Sequence, residues 1–406
     1  MIPFDFNLYS ALLLAPFVHG SIMAFVFLAR YLGKRRWPDL FLSLLIFMLV
    51  IRLCFWMLGF AGWYDSHDVF TAFMFYFPFN TIIFLGPLLY FYFLSVTNNR
   101  FRPSKAHWVH LVLPALMLLL CLVKWIVDFS LYAPFPLIEA FQYGTRGPWA
   151  ELDKHPMVYL ISYASLLYYC IKTLSAYKRY TRYIKQHFSF QESISFYWLY
   201  QMLLVFGAGI ICFLAFFIYN LVNPEASYID NWYLYLVVGV LVYFISLNGY
   251  HRSSGKLFNQ LQFVAEPEAD SAVPEEPPTA GMEGENLALS RFMEEQKPFL
   301  DPELSLSSLA RQAGMNSTQL SRLINEGFGQ NFNEFINSYR VRAVLDELQK
   351  GKHQAQTIMG IAYDCGFNSK PTFNRAFKKL TGKTPKEWIQ ARKVEDDTKT
   401  PLSDTI

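Results

Sequence analysis

The first 250 residues contain seven apolar runs, at about 8–32, 39–62, 70–96, 107–128, 156–177, 196–222 and 231–250. Each is close to the roughly 20 residues that a helix needs to cross a bilayer. Over the whole chain 53% of residues are hydrophobic and 18% aromatic, against 17% charged, a balance foreign to a water-soluble protein. The first run is not a cleaved signal peptide, because it has no basic start, is too long and lacks a small-residue cleavage site. Seven spans place the two ends of this region on opposite sides of the membrane.

The loop charges choose between the two orientations. The first, third and fifth loops carry GKRRW (33–37), NNRFRPSK (98–105) and KRYTRYIK (178–185), and HRSSGK (251–256) follows the last run, together twelve Lys and Arg. The segments of the other face hold only Arg146 and Lys154. Basic residues are retained on the cytoplasmic side, which places the N-terminus outside and everything beyond residue 256 in the cytoplasm of a bacterial inner membrane.

Ionisable residues inside such runs mark functional sites by default, because lipid is a costly place to leave them. His19 and Asn80 lie mid-run and read first as hydrogen-bonding links between helices. Lys124 and Asp128, four residues apart, read first as a pair near the outer interface. Arg52 lies too deep to reach water and is the foremost candidate for a signal site; Arg52 and Lys124 facing one cavity would hold an anionic ligand, with His19 a further candidate. The long outer loop at 129–155 is rich in aromatics and suits either an ordered cover over a site or anchoring at the headgroups. Gly86-Pro87 marks an expected kink, and Gly207 with Gly209 an expected close approach of helices. The five cysteines are scattered without CxxC spacing or nearby histidines, so neither a disulfide framework, a metal site nor a cofactor is called for.

After Lys256 the composition changes. Residues 257–264 are expected either to extend the last helix or to pair with a second subunit. From Glu266 to Glu285 there are seven acidic residues, four prolines and no Lys or Arg, the pattern of a self-repelling disordered linker. The folded C-terminal region begins at about 285 and ends near 393, and 394–406 reads as an acidic tail.

That region is written twice. SLSSLARQAGMNS (305–317) aligns with TIMGIAYDCGFNS (357–369), placing Leu306 on Ile358, Leu309 on Ile361, Ala310 on Ala362, Gly314 on Gly366 and Ser317 on Ser369. LSRLINEGFGQNFNEFI (320–336) aligns with FNRAFKKLTGKTPKEWI (373–389), one residue further on, placing Arg322 on Arg375, Gly329 on Gly382, Glu334 on Glu387 and Phe335 on Trp388. Each copy predicts a helix opened by Ser305 or Thr357, a turn at Gly314 or Gly366, and a second helix capped by Ser317 or Ser369. The outward stripes of the second helices are Thr318, Ser321, Arg322 and Asn325 in one copy, and Lys370, Pro371, Asn374, Arg375 and Lys378 in the other. A helix, a short glycine turn and a helix form the unit that lays its second helix in the major groove.

The tandem pattern, with IAYDCGF followed by FNRAFKKLTGKTPKEW, resembles the DNA-binding domain of AraC/XylS-type transcription regulators over about a quarter of the chain. The resemblance implies two recognition helices in successive major grooves, joined by a longer helix at 331–349 of roughly 28 Å. Between Arg291 and Lys393 there are 16 Lys and Arg against 10 Asp and Glu, an excess suited to phosphates. Thr318, Ser321, Arg322, Asn325, Lys370, Pro371, Asn374 and Arg375 are the expected base readers, and Lys378, Lys379, Lys383 and Lys386 the expected phosphate contacts. Members of that family ordinarily carry a soluble ligand-binding domain; this chain departs from them, so their sugar ligands do not carry over.

No phosphate-cradling loop, HExxH, GxSxG or histidine-kinase pattern is present, and no enzyme is expected. The expected architecture is all-α: a seven-helix sensor domain at 1–250, a juxtamembrane segment and linker at 251–284, the DNA-binding domain at 285–393, and the tail. The expected activity is that of a membrane-integrated regulator binding double-stranded promoter DNA, with the lipid bilayer, RNA polymerase, a second copy and an unidentified signal as partners. A transporter or membrane enzyme with a fused regulatory domain, and a passively anchored regulator, are the competing readings.

Overall fold

The computed structural model describes residues 5–63, 75–131, 147–150, 152, 155–190, 194–223, 228–252, 261–263 and 282–391. Most of the acidic linker, the centre of the outer loop and the tail lie outside these residues. Among those described there are helices and no strands, only isolated bridges. The chain divides into two compact units: Met1–Lys178 with Tyr197–Ala265, and Arg179–Phe196 with Glu266–Ile406.

The first unit holds the apolar runs as helices α1 (Leu8–Lys34), α2 (Trp37–Phe60), α3 (Ile82–Thr97), α4 (Val112–Ile126), α5 (Pro156–His187), α6 (Tyr197–Val222) and α7 (Asn231–Arg252). A tight helical turn, Lys105–Leu111, leads into α4, and α5 crosses into the second unit at its C-terminal end. Six of the seven are long and apolar enough to cross a membrane, α4 only together with its flanking turns over Lys105–Ser130; the exception is α3, with 16 residues. The predicted run at 70–96 shortens because Pro78 precedes a non-helical stretch in which Thr81 donates its hydroxyl to the Met48 carbonyl of α2. Pro87, where a kink is expected, stands inside α3.

Helices α1, α2 and α7 approach closely at glycines other than the expected pair. A Cβ on Gly20 would lie 2.6 Å from Val50 and 2.7 Å from Val242, and one on Gly249 would lie 2.4 Å from Leu42. Gly207 and Gly209, by contrast, face open space within 4 Å, so they do not bring helices together. Polar links add to this packing: Ser43 donates to the Ala24 carbonyl at 2.7 Å and the Trp232 indole to the Tyr9 carbonyl at 3.0 Å. Residues 261–263 do not continue α7. They pair with the end of α3, where Asn99 donates to the Leu261 carbonyl and Phe263 donates to the Thr97 carbonyl. With Leu261 and Phe263 buried in this way, a helical extension over that stretch is replaced by an extended clip.

The second unit is built on the repeat. Helices α8 (Met282–Gln296), α9 (Leu306–Gln312) and α10 (Ser317–Arg322) pack against the first half of α11 (Phe332–Gln349). Helices α12 (Ile358–Asp364) and α13 (Lys370–Thr381) pack against its second half. Leu309 and Ile361 are both fully buried, each in its own core, and so are Ala310 and Ala362 to within 2%. The linker helix thus divides its inward face: Phe332, Phe335 and Ile336 serve one core, Val341, Val344 and Leu348 the other.

Candidate nucleic-acid interface

The two turns are set by equivalent residues. Gly314 and Gly366 end α9 and α12 with φ of +70° and +92°, a region that side chains with a Cβ rarely enter. Ser305 and Thr357 open those helices by accepting from the Ser308 and Gly360 amides. Ser369 caps α13 as expected, accepting from the Thr372 amide. In the first copy the cap is one residue earlier than predicted: Asn316, not Ser317, accepts from the Gln319 amide at 2.7 Å. Asparagine is as good a cap as serine, and Ser317 then becomes the first helical residue. Beyond Arg322 the helix widens into a single looser turn over Leu323–Gly327.

The repeat persists beyond the second helices. Gly329 and Gly382 both have positive φ, +62° and +74°. Glu334 reaches back to the Asn331 amide while Asn331 accepts from the Glu334 amide, a reciprocal cap on α11. Glu387 does the same with Thr384 ahead of the helical turn at 385–391. The matched acids are therefore helix caps. The Thr384 amide and hydroxyl hold the Glu387 carboxyl below the usual carboxylate range.

The expected base readers occupy the outer faces of α10 and α13. Thr318 and Asn325 are exposed, and Ser321 is half-buried beside Asn325. Arg322 is half-buried and its Nε lies 3.1 Å from Glu326 one turn on. Lys370, Pro371, Asn374 and Arg375 are all exposed on the first two turns of α13. Among the expected phosphate contacts, Lys378, Lys383 and Lys386 are exposed. Lys379 is also exposed but pairs with Glu334 of α11 at 2.5 Å, and this hydrogen bond lowers the Glu334 pKa. Lys379, Arg375 and Thr372 line one side of a cleft of about 470 Å³ whose other side is α11.

The residue that the sequence reading passed over is Arg340. It is 1% exposed in the middle of α11, donating from Nε to the Phe299 carbonyl at 2.7 Å and from Nη2 to the Asp301 carbonyl at 2.7 Å. Nη1 reaches the Asn337 carboxamide oxygen at 3.4 Å, and the guanidinium lies over the Phe367 ring. Burial pulls its pKa down to about 10, partly opposed by the charge of Asp301. A signal was present: Arg340 stands on the inward stripe Ile336, Val344, Leu348, where an apolar residue is expected.

The candidates in the first unit are dispersed. Arg52 is buried on α2, 5.5 Å from the centre of the Tyr235 ring, beside a narrow apolar void that also touches Thr81 and Leu166. Lys124 is buried on α4 and does not line that void. His19 stacks on Tyr243 at 4.3 Å. Asp128 is fully buried; its carboxylate accepts from the Tyr76 hydroxyl and from the Trp149 and Ala150 amides.

Residues 309–391 match the family model described as a helix-turn-helix domain. An uncharacterized HTH-type transcriptional regulator of Staphylococcus aureus strain COL is 35% identical over 86 residues, 21% of this chain and 11% of that protein. The HTH-type transcriptional regulator GlxA of Rhizobium meliloti strain 1021 is 33% identical over 118 residues, 29% of this chain and 36% of that protein. The chain thus spans about a tenth of the first of these relatives and about a third of the second. No solved structure matches the chain.

Proposed function

We propose that this chain, whose C-terminal region is an AraC-type helix-turn-helix domain of a DNA-binding transcription regulator, is a membrane-embedded regulator that converts a signal received by its apolar helices into occupancy of promoter DNA. The observation that carries the DNA half of the reading is the equivalence of the two turns. Gly314 and Gly366, each in the left-handed region, present α10 and α13 with polar, partly basic outer faces from the same scaffold. Arg322 and Arg375 are assigned to base edges, together with Thr318, Ser321, Asn325, Lys370, Pro371 and Asn374. Lys378, Lys383 and Lys386 are assigned to phosphates, joined by Lys379 once it leaves Glu334.

The membrane half is supported by six helices of sufficient length and hydropathy and by their outer faces. On α4, Leu116, Leu119, Leu122 and Trp125 are each about half exposed, and on α6 Ile211 and Val222 are at least 70% exposed. Such faces are stable against acyl chains and would associate in water. The short α3 is assigned as the seventh span, and the distribution of Lys and Arg then orients the N-terminus outward and the DNA-binding domain toward the cytoplasm. Arg52 is the residue we assign to signal reception.

The test is genome-wide mapping of bound DNA for the full chain and for a truncated chain lacking residues 1–178 and 197–256, which keeps the second compact unit whole. Discrete promoter sites for the full chain, occupied without regulation by the truncated one, are the expected result. Identical, equally regulated occupancy by both would reduce the apolar helices to an anchor, and no enriched sites would remove the DNA reading.

A further inference from the structure

The segment Arg179–Phe196 lies between two apolar helices in the sequence, yet it belongs to the same compact unit as the helix-turn-helix repeat. It is folded on itself. The Tyr180 hydroxyl donates to the Ile194 carbonyl at 2.6 Å, the Tyr180 ring stacks on Phe196, and Phe188 packs edge-on against Phe190. Phe188, Ser189 and Phe190 are no more than 4% exposed.

Ser189 is the centre of the seat. Its amide and its hydroxyl both donate to the Leu304 carbonyl, at 3.2 and 2.7 Å, directly before the Ser305 cap of α9. Its Oγ accepts from Arg340 Nη2 at 3.1 Å. From Arg340 the hydrogen bonds run along one face of α11, through Asn337 to Asn333. Asn333 closes the ring by donating to the Ser189 carbonyl at 2.8 Å and the Phe188 carbonyl at 3.3 Å. Two side chains of α11, Asn333 and Arg340, thus bind this segment directly, and Asn337 between them links the two. One turn before it, Lys185 lines the cleft shared with Thr372, Arg375 and Lys379 of α13.

A buried guanidinium needs its acceptors, and Ser189 is one of the four that Arg340 uses, the others being Phe299, Asp301 and Asn337. The same Arg340 touches the second repeat: a Cβ on Gly366 would lie 3.0 Å from its Nε. Withdrawing the segment would leave Arg340 short of a partner, free the approach to α9, and remove Lys185 from beside the second recognition helix. We propose that Arg179–Phe196 is a docked part of the DNA-binding domain, and that this loop, not the acidic linker, is the surface through which the apolar helices govern DNA affinity. The second half of this proposal rests on the DNA-binding reading above.

The test uses the full chain in lipid nanodiscs, with duplexes selected by the wild type from a random pool. Ser189→Arg cannot be seated at a position 1% exposed; it should weaken DNA binding at least tenfold and speed amide exchange at 299–305 and 333–340 at least tenfold. Ser189→Ala and Asn333→Ala remove opposite sides of the seat and should be non-additive in both readouts. Ten Gly and Ser residues inserted after Pro278 should leave affinity within twofold. Unchanged exchange in Ser189→Arg, additive single variants, faster exchange without loss of affinity, or loss of binding on lengthening the linker would each overturn the proposal. If even the wild type selects no duplex while exchange responds to Ser189→Arg, the DNA reading fails and the docking stands.

Discussion

The carboxylate of Glu334, in the first turn of α11, holds the ammonium of Lys379 on α13 at 2.5 Å. Lys379 is one of the cations expected to meet a DNA phosphate, so in the free domain its charge is already engaged. Both groups are solvent-accessible, 67% and 37% exposed, which makes the pair weak enough to exchange for a phosphate. Glu334→Gln should therefore raise affinity for non-specific duplex roughly three- to tenfold at low salt and steepen the salt dependence by about one released ion. Fluorescence anisotropy titrations at several salt concentrations measure both. An unchanged slope would show that Lys379 does not meet the backbone.

The same pair sets a pH dependence. The Lys379 hydrogen bond, with the Asn331 amide, holds Glu334 below its ordinary 4.5, against a smaller opposing effect of burial. A carboxylate depressed in the folded state contributes stability that is fully present above 4.5 and is lost as pH falls through the folded value. Glu387, held down by Thr384, contributes in the same window. The wild-type domain should lose stability as pH falls below that of an ordinary glutamate, and Glu334→Gln should flatten the loss. Amide exchange of the Phe335 and Ile336 region across that range is the measurement, and parallel profiles for both proteins would dismiss the pair as a source.

The two turn glycines should not respond alike to alanine. At Gly314 a Cβ meets nothing within 4 Å, so the cost is that of the left-handed backbone alone, roughly 1–2 kcal/mol. At Gly366 it would sit 2.4 Å from the Phe299 carbonyl oxygen and 3.0 Å from Arg340, which adds steric displacement of a buried hydrogen-bond network. Gly366→Ala should cost on the order of 3 kcal/mol or more and disturb α12 and α13 first. Exchange at the Ile361 and Phe373 amides in the two variants gives the comparison; equal effects would mean that the 299–301 turn yields freely.

The contrast between these glycines shows where sequence reasoning reached and where it stopped. Leu309 and Ile361, Gly314 and Gly366, and Glu334 and Glu387 are local features repeated at a fixed offset, so periodicity and capping rules located them without coordinates. The roles of Gly20 and Gly249 depend on which helix lies opposite, which no single helix pattern encodes. Ser189 is a serine between two phenylalanines, and nothing in FSF announces that it accepts from Arg340, 151 residues away in the chain. Arg340 was half-legible, as a charge on an apolar stripe, but two of its four acceptors are backbone carbonyls and therefore silent in the sequence.

Arg322 separates base reading from scaffold support. Its pairing with Glu326 at 3.1 Å is an exposed i, i+4 contact that adds little stability. Arg322→Ala should leave the fold intact and cost roughly 1–3 kcal/mol on the selected duplex, with relaxed preference at one base pair. Glu326→Ala should remove this ion pair and tighten binding slightly without changing preference. Selection from randomised duplexes by each variant decides the matter: a loss spread evenly over all sequences would move Arg322 to the phosphates.

Asp128 tests the apolar unit independently of DNA. Its carboxylate gathers the Tyr76 hydroxyl at 2.9 Å, the Trp149 amide at 3.0 Å and the Ala150 amide at 2.9 Å, while Tyr76 in turn accepts from the Gly147 amide at 3.1 Å. Three donors from two stretches of chain thus converge on one fully buried side chain. Asp128→Ala would strand two amides and a hydroxyl, at about 1–3 kcal/mol for each unsatisfied group, so a total loss on the order of 3–5 kcal/mol is expected. Asp128→Asn keeps one acceptor oxygen but turns an amide donor toward the others, and should fall between alanine and wild type. Thermal unfolding in nanodiscs followed by tryptophan emission, with Trp149 beside the site, ranks the three proteins. If asparagine matches wild type, neutral acceptance suffices and the charge of Asp128 has no structural role; if alanine does, the 147–150 turn is held by other contacts.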